Sequence, residues 1–156
     1  MTETVLFMIA FAFVTVHLGA LYIMQSSILP LLNSRELKDY LATCKAIDMF
    51  VFHKIALWGG IVIMGVGVYL VTLLDETLAQ VYVGIATAGF VVVGAISEST
   101  NRPIWRNIEN VWTGPENTPP DWKRQRRVWS TAHTLRTLAA LVSTVGYLLA
   151  GIVEYG

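Results

Sequence analysis

The sequence predicts an all-α membrane protein, a single domain of four transmembrane helices running up and down, with short interfacial helices in two cytoplasmic connections. Three observations predict it. Apolar residues make up 54% of the 156-residue chain and charged residues only 14%, whereas a soluble domain carries about a quarter charged residues. Four apolar stretches have the length a helix needs, roughly 20 residues, to cross a hydrocarbon core of about 30 Å. Every Lys and Arg lies in or beside the two long connections between those stretches.

The first stretch covers 5–24 and is interrupted only by His17 and small or hydroxyl residues. The N-terminus has no positive residue ahead of the apolar run and no small-residue cleavage site, so the first helix reads as inserted and retained. The second stretch covers 49–74, with His53 and Lys54 near its start, and the third covers 78–96. Only Asp75, Glu76 and Thr77 separate these two, which makes a tight hairpin. The fourth covers 128–153 and carries His133 and Arg136 in its first half. Apolar periodicity is weak throughout, as befits helices that are greasy on most faces.

The long connections carry helix signals of their own. Ser34 is a suitable N-cap, followed by Leu37, Tyr40, Leu41 and Cys44 at helical spacing. Pro103 suits a first helical position, and Ile104, Trp105, Ile108, Val111 and Trp112 then form an apolar stripe ending at Gly114. That segment either lies in the membrane interface with its tryptophans at headgroup depth or caps the bundle. Asp121 suits the cap of the fourth helix, whose first turns hold the Lys123 to Arg127 cluster. Such a cluster fits topogenic charge or contact with anionic headgroups. Pairs of small residues four apart, Gly84 with Ala88 and Ala139 with Ser143, suit close helix packing.

Charge sets the orientation. The N-terminus, the short hairpin and the C-terminus carry Glu3, Asp75, Glu76 and Glu154 and no basic residue. Positive residues near span ends stay cytoplasmic, so both termini belong on the non-cytoplasmic side of a multi-pass cell-membrane protein. The net charge is zero, which gives no general attraction to nucleic acid. The lone Cys44 excludes an intrachain disulfide and any Cys-based metal motif.

Ionisable residues inside spans are costly and often functional. With this orientation His17, His53 and His133, the only histidines, all fall in the cytoplasmic half of the bundle, and Glu98, Ser99 and Asn101 end the third span at the same level. Arg136 and Thr137 share a face with His133. Alone, each histidine reads as a packing or snorkelling residue, Lys54 as a snorkelling charge, and Arg136 as half of a salt bridge with Glu98 or Asp48. Together, three imidazoles and the Glu98 carboxylate suit a first-row transition metal. Two histidines on facing helices suit a haem. An unliganded histidine suits a base that takes an acidic proton from an aromatic substrate, with Arg136 stabilising the anion. Trp58, Tyr22 and Tyr69 are candidates for an aromatic pocket or for plain bundle packing.

Two segments carry a family resemblance. The third span is followed by Asn101-Arg102-Pro103-Ile104-Trp105-Arg106-Asn107, and the fourth opens with Trp129-Ser130-Thr131-Ala132-His133-Thr134-Leu135-Arg136-Thr137. The chain thereby resembles a family of small four-helix membrane proteins that includes the fungal anthrone oxygenases and many bacterial members. The resemblance implies an oxygenase or related oxidoreductase acting on a hydrophobic aromatic molecule, converting an activated methylene to a ketone. It implies His133, Arg136 and Asn101 as catalytic candidates, with Asn107 and Trp129 beside the substrate. The competing expectation is a non-catalytic membrane subunit or lipophile carrier packed in a homo-oligomer or a larger membrane complex.

Overall fold

The computed structural model describes the backbone of residues 2–47 and 49–156, and the side chains of all of these except Thr2 and residues 49–56. Among the described residues there are helices and turns and no strand. Seven α-helices follow one another: α1 Thr2–Ile23, α2 Leu29–Asn33, α3 Leu37–Ile47, α4 Met49–Leu73, α5 Thr77–Ile96, α6 Arg102–Asn110 and α7 Trp122–Tyr155. The four apolar stretches are therefore α1, α4, α5 and most of α7. These pack side by side in the cyclic order α1–α4–α5–α7. Among the described residues three continuous helices are long and apolar enough to cross a membrane: Glu3–Asn33, Thr77–Asn110 and Trp122–Tyr155. Within α4 a shorter apolar stretch, Leu57–Leu73, is described.

Two of these helices run further than their apolar stretches, by the same device. A π-helical turn, Met24–Ile28, joins α1 to α2, and another, Ser97–Asn101, joins α5 to α6. Leu29 N–H bonds to the Met24 carbonyl and Arg102 N–H to the Ser97 carbonyl, each five residues back. In both cases a proline, Pro30 or Pro103, stands two residues beyond the turn. A proline has no N–H, and its ring crowds the carbonyl four residues earlier. Bonding five residues back widens the turn at that point, so the helix passes a residue that would otherwise end it.

The closest packing is between α5 and α7. A methyl group on Gly146 would stand 2.9 Å from Ala86 Cβ and 3.0 Å from the Tyr82 carbonyl oxygen. One on Gly89 would stand 3.1 Å from the Ala139 carbonyl oxygen. Ala139 and Ser143 thus form the close contact their spacing suggests. Gly84 and Ala88 do not, for Ala88 is exposed and Gly84 has open space where a side chain would go. At the acidic end the Glu154 carboxylate accepts the backbone N–H groups of Asp75 and Glu76 at 3.0 and 3.1 Å. Those amides lead into α5, where a helix N-terminus favours an anion.

The basic end holds a second apolar core. Tyr40, Leu41 and Cys44 of α3 pack with Leu29 and Leu32, with Ile104, Trp105, Ile108 and Trp112 around α6, and with Trp122 and Trp129 of α7. The α6 stripe is buried here except for Val111, so α3 and α6 cap the bundle and do not lie as free interfacial helices. Arg126 fastens this cap. Its guanidinium lies 4.8 Å from the Trp122 ring centre and 5.5 Å from that of Tyr40, and donates to the Arg35 carbonyl at 3.0 Å. Burial pushes the Cys44 thiol up to about 12, which keeps it protonated and unreactive at neutral pH. Asp121 stands at the N-cap of α7 without a capping bond to the backbone, and its carboxylate accepts from Gln125.

Candidate functional site

A cavity of about 360 Å³ opens among α1, α4, α5, α6 and α7, toward the basic end. Its deep wall is apolar, formed by Leu57, Met64, Phe90 and Val93. Its middle carries His17, His133, Arg136 and Asn101, and Trp129 and Trp105 flank them. The end toward the cap is charged, with Arg102, Arg106 and Glu109. Its size falls within the roughly 300–1,000 Å³ of small-molecule sites, and apolar walls with a few convergent polar groups are their usual character.

Each polar group arrives by a definite route. His17 is buried on α1 between two rings, parallel to Phe13 at 6.2 Å and edge-on to Phe90 at 5.2 Å. Its Nε2 is buried and has no hydrogen-bond partner among the described residues. His133 is buried on α7, and its Nε2 lies 3.1 Å from the Leu21 carbonyl oxygen. A carbonyl only accepts, so this nitrogen carries the proton and Nδ1 holds the lone pair in the neutral ring. The bond ties α7 to α1 one turn before the first π turn.

Asn101 closes the second π turn. The wider turn changes which residues face inward, and Asn101 is buried with both side-chain amide atoms unpartnered among the described residues. Such turns often occur at functional sites for this reason. Arg136 lies one turn beyond His133, half-buried, and its Nε is buried without a hydrogen-bond partner among the described residues. The Glu98 carboxylate that was expected to meet it instead pairs with Arg102, one helical turn along. Asp48, the other expected partner, lies outside the described residues. Trp105 Nε1 donates to Glu109, which fixes the indole against the tilted Trp129 ring at 5.8 Å.

The structure therefore brings together His17, His133, Arg136, Asn101, Glu98 and Trp129. It does not bring Trp58 and Tyr22 to them. These are 66% and 63% exposed on the outer surface, because a helix that is apolar all round gives no sequence signal of which side faces in. Tyr69 is likewise exposed. Asn107 is half-buried in α6 and off the cavity wall, where its carbonyl accepts the N–H groups of Val111 and Trp112. Thr137 bonds back to the His133 carbonyl. The side chains of His53 and Lys54 lie outside the described residues. Among the described residues no three His, Cys, Asp or Glu side chains come together as a metal-ligand set.

Most of the cavity wall was not foreseen as part of a site, Phe90 and Trp105 included. Phe90 gives no signal within an apolar run. Trp105 was visible as part of the α6 stripe and of the segment that carries the resemblance, without a role in a site.

No family model, curated protein or solved structure matches the chain.

Proposed function

We propose that the chain is an integral membrane protein that crosses the bilayer four times, with both termini on the non-cytoplasmic side, and that its cavity binds a planar lipophilic molecule with an acidic methylene conjugated through an aromatic ring to a carbonyl. Three long apolar helices and the segregation of all eleven basic residues support the membrane reading. So does the outer surface, where Val16, Val68 and Ile152 are more than half exposed. Soluble monomers rarely expose contiguous apolar patches beyond a few hundred Å².

The observation that carries the ligand reading is the set of orphaned buried polar atoms around one apolar-walled cavity: His17 Nε2, Arg136 Nε and the Asn101 amide. An unpaired buried polar group costs about 1–3 kcal/mol; a ligand carbonyl oxygen accepts from Arg136 Nε and Asn101 Nδ2, and an acidic methylene conjugated to it meets His17 Nε2. His17 Nε2, buried and without a hydrogen-bond partner among the described residues, accepts the proton. Arg136 and Asn101 hold the oxygen on which the negative charge then rests. Trp129 and Trp105 supply the flat wall. In the reaction implied by the anthrone oxygenase resemblance, dioxygen attacks this electron-rich anion. A methylene and one dioxygen give a ketone and one water, and the protein's part is to form and shelter the anion.

The test is a titration of the detergent-purified protein with anthrone, following quenching of tryptophan emission, alongside oxygen uptake. Saturable quenching that weakens in Arg136→Gln, with one oxygen consumed per anthrone, is the expected result. Quenching without oxygen uptake would turn the reading into a lipophile carrier. No quenching would remove both.

A further inference from the structure

From a second feature we infer that the outer face of α7 holds one anionic phospholipid, its phosphodiester between Arg124 and Arg127. A shallow groove on that face, separate from the cavity, is lined by both arginines, by Thr100 and Thr131, and by Val128, Ala132 and Leu135. No carboxylate lines it, and neither arginine has an ion-pair partner among the described residues.

The spacing decides the kind of anion. Arg124, Arg127, Thr131 and Leu135 are three or four residues apart and so form one stripe along the helix. The stripe goes on through the exposed Leu138 and Val142. From Val128 to Val142 the helix rises about 21 Å at 1.5 Å per residue, more than the roughly 15 Å of one leaflet's hydrocarbon. Cationic and hydroxyl groups at one end of an apolar strip of that length match a headgroup with its acyl chain. A soluble phosphate would use only the arginines. The inference rests on the membrane reading, and a chain that stays in solution without detergent would end that reading before this assay begins.

The experiment reconstitutes the full chain into nanodiscs of phosphatidylcholine with and without phosphatidylglycerol, and measures the thermal midpoint. Native mass spectrometry counts the retained lipid. Phosphatidylglycerol should raise the wild-type midpoint and leave one such lipid bound. R124Q/R127Q should lose at least half of that shift and the retained lipid. K38Q/K45Q removes the same charge from exposed positions at the same end and should keep both. Equal loss in the two double variants would mean diffuse charge and overturn the inference. So would a wild-type midpoint indifferent to phosphatidylglycerol, or an equal shift produced by glycerol phosphate in solution.

Discussion

His17→Gln is expected to lower anthrone turnover by about 10²- to 10⁴-fold, the usual contribution of a general base, while anthrone binding changes little. Glutamine keeps a polar group of similar reach between Phe13 and Phe90 but is not a base near neutral pH. The orphaned Nε2 of His17 is what singles it out from His133, whose equivalent nitrogen is held by the Leu21 carbonyl. Parallel measurement of oxygen uptake, of the quenching constant and of the thermal midpoint separates base from scaffold. Unchanged turnover would remove His17 from the chemistry. A fall in midpoint that accounts for the lost activity would make it a packing residue.

Gly146→Leu is expected to abolish the folded monodisperse protein in mild detergent, whereas Gly84→Leu leaves it intact. The two glycines look alike in sequence, each within an apolar helix. A first carbon on Gly146 already meets Ala86 Cβ at 2.9 Å and the Tyr82 carbonyl at 3.0 Å, while Gly84 has open space. Overpacking commonly costs about 1–3 kcal/mol, and here the obstacle includes backbone, so α5 and α7 must separate. The continuation of α5 carries Asn101 and α7 carries His133 and Arg136, so the cavity opens with them. Size-exclusion profiles and thermal midpoints of both variants decide the matter. An intact Gly146→Leu protein would show that the α5–α7 contact is not what holds the bundle.

The contrast between these glycines marks the limit of what the sequence discloses. Hydropathy locates α1, α4, α5 and α7 to within a few residues at most ends, because the length of an apolar run is a one-dimensional property. It does not tell which face of a run is inward. Gly84 and Ala88 carry the same spacing as Ala139 and Ser143, yet only the second pair packs. Trp58 and Tyr22 suit a pocket by residue type and stand outside it for the same reason. His17, His133, Arg136, Asn101 and Trp129 were legible because polar or bulky residues at one depth in a greasy bundle are few. The local pairings were not. Glu98 goes to Arg102 and not to Arg136, since the π turn keeps Glu98 and Arg102 on one continuous helix where a break was expected. Pro103 reads as a first helical residue when it follows a π turn that lets its helix pass.

Accessibility of single cysteines in intact cells tests the four-span arrangement most directly. Native Cys44 is buried and held as a thiol, so it stays silent to a maleimide that does not cross membranes. The account predicts that Gly156→Cys is labelled from outside and that Lys123→Cys is labelled only after the cells are opened. Labelling of Lys123→Cys in intact cells, with Gly156→Cys protected, would contradict it and place the cavity in the opposite leaflet.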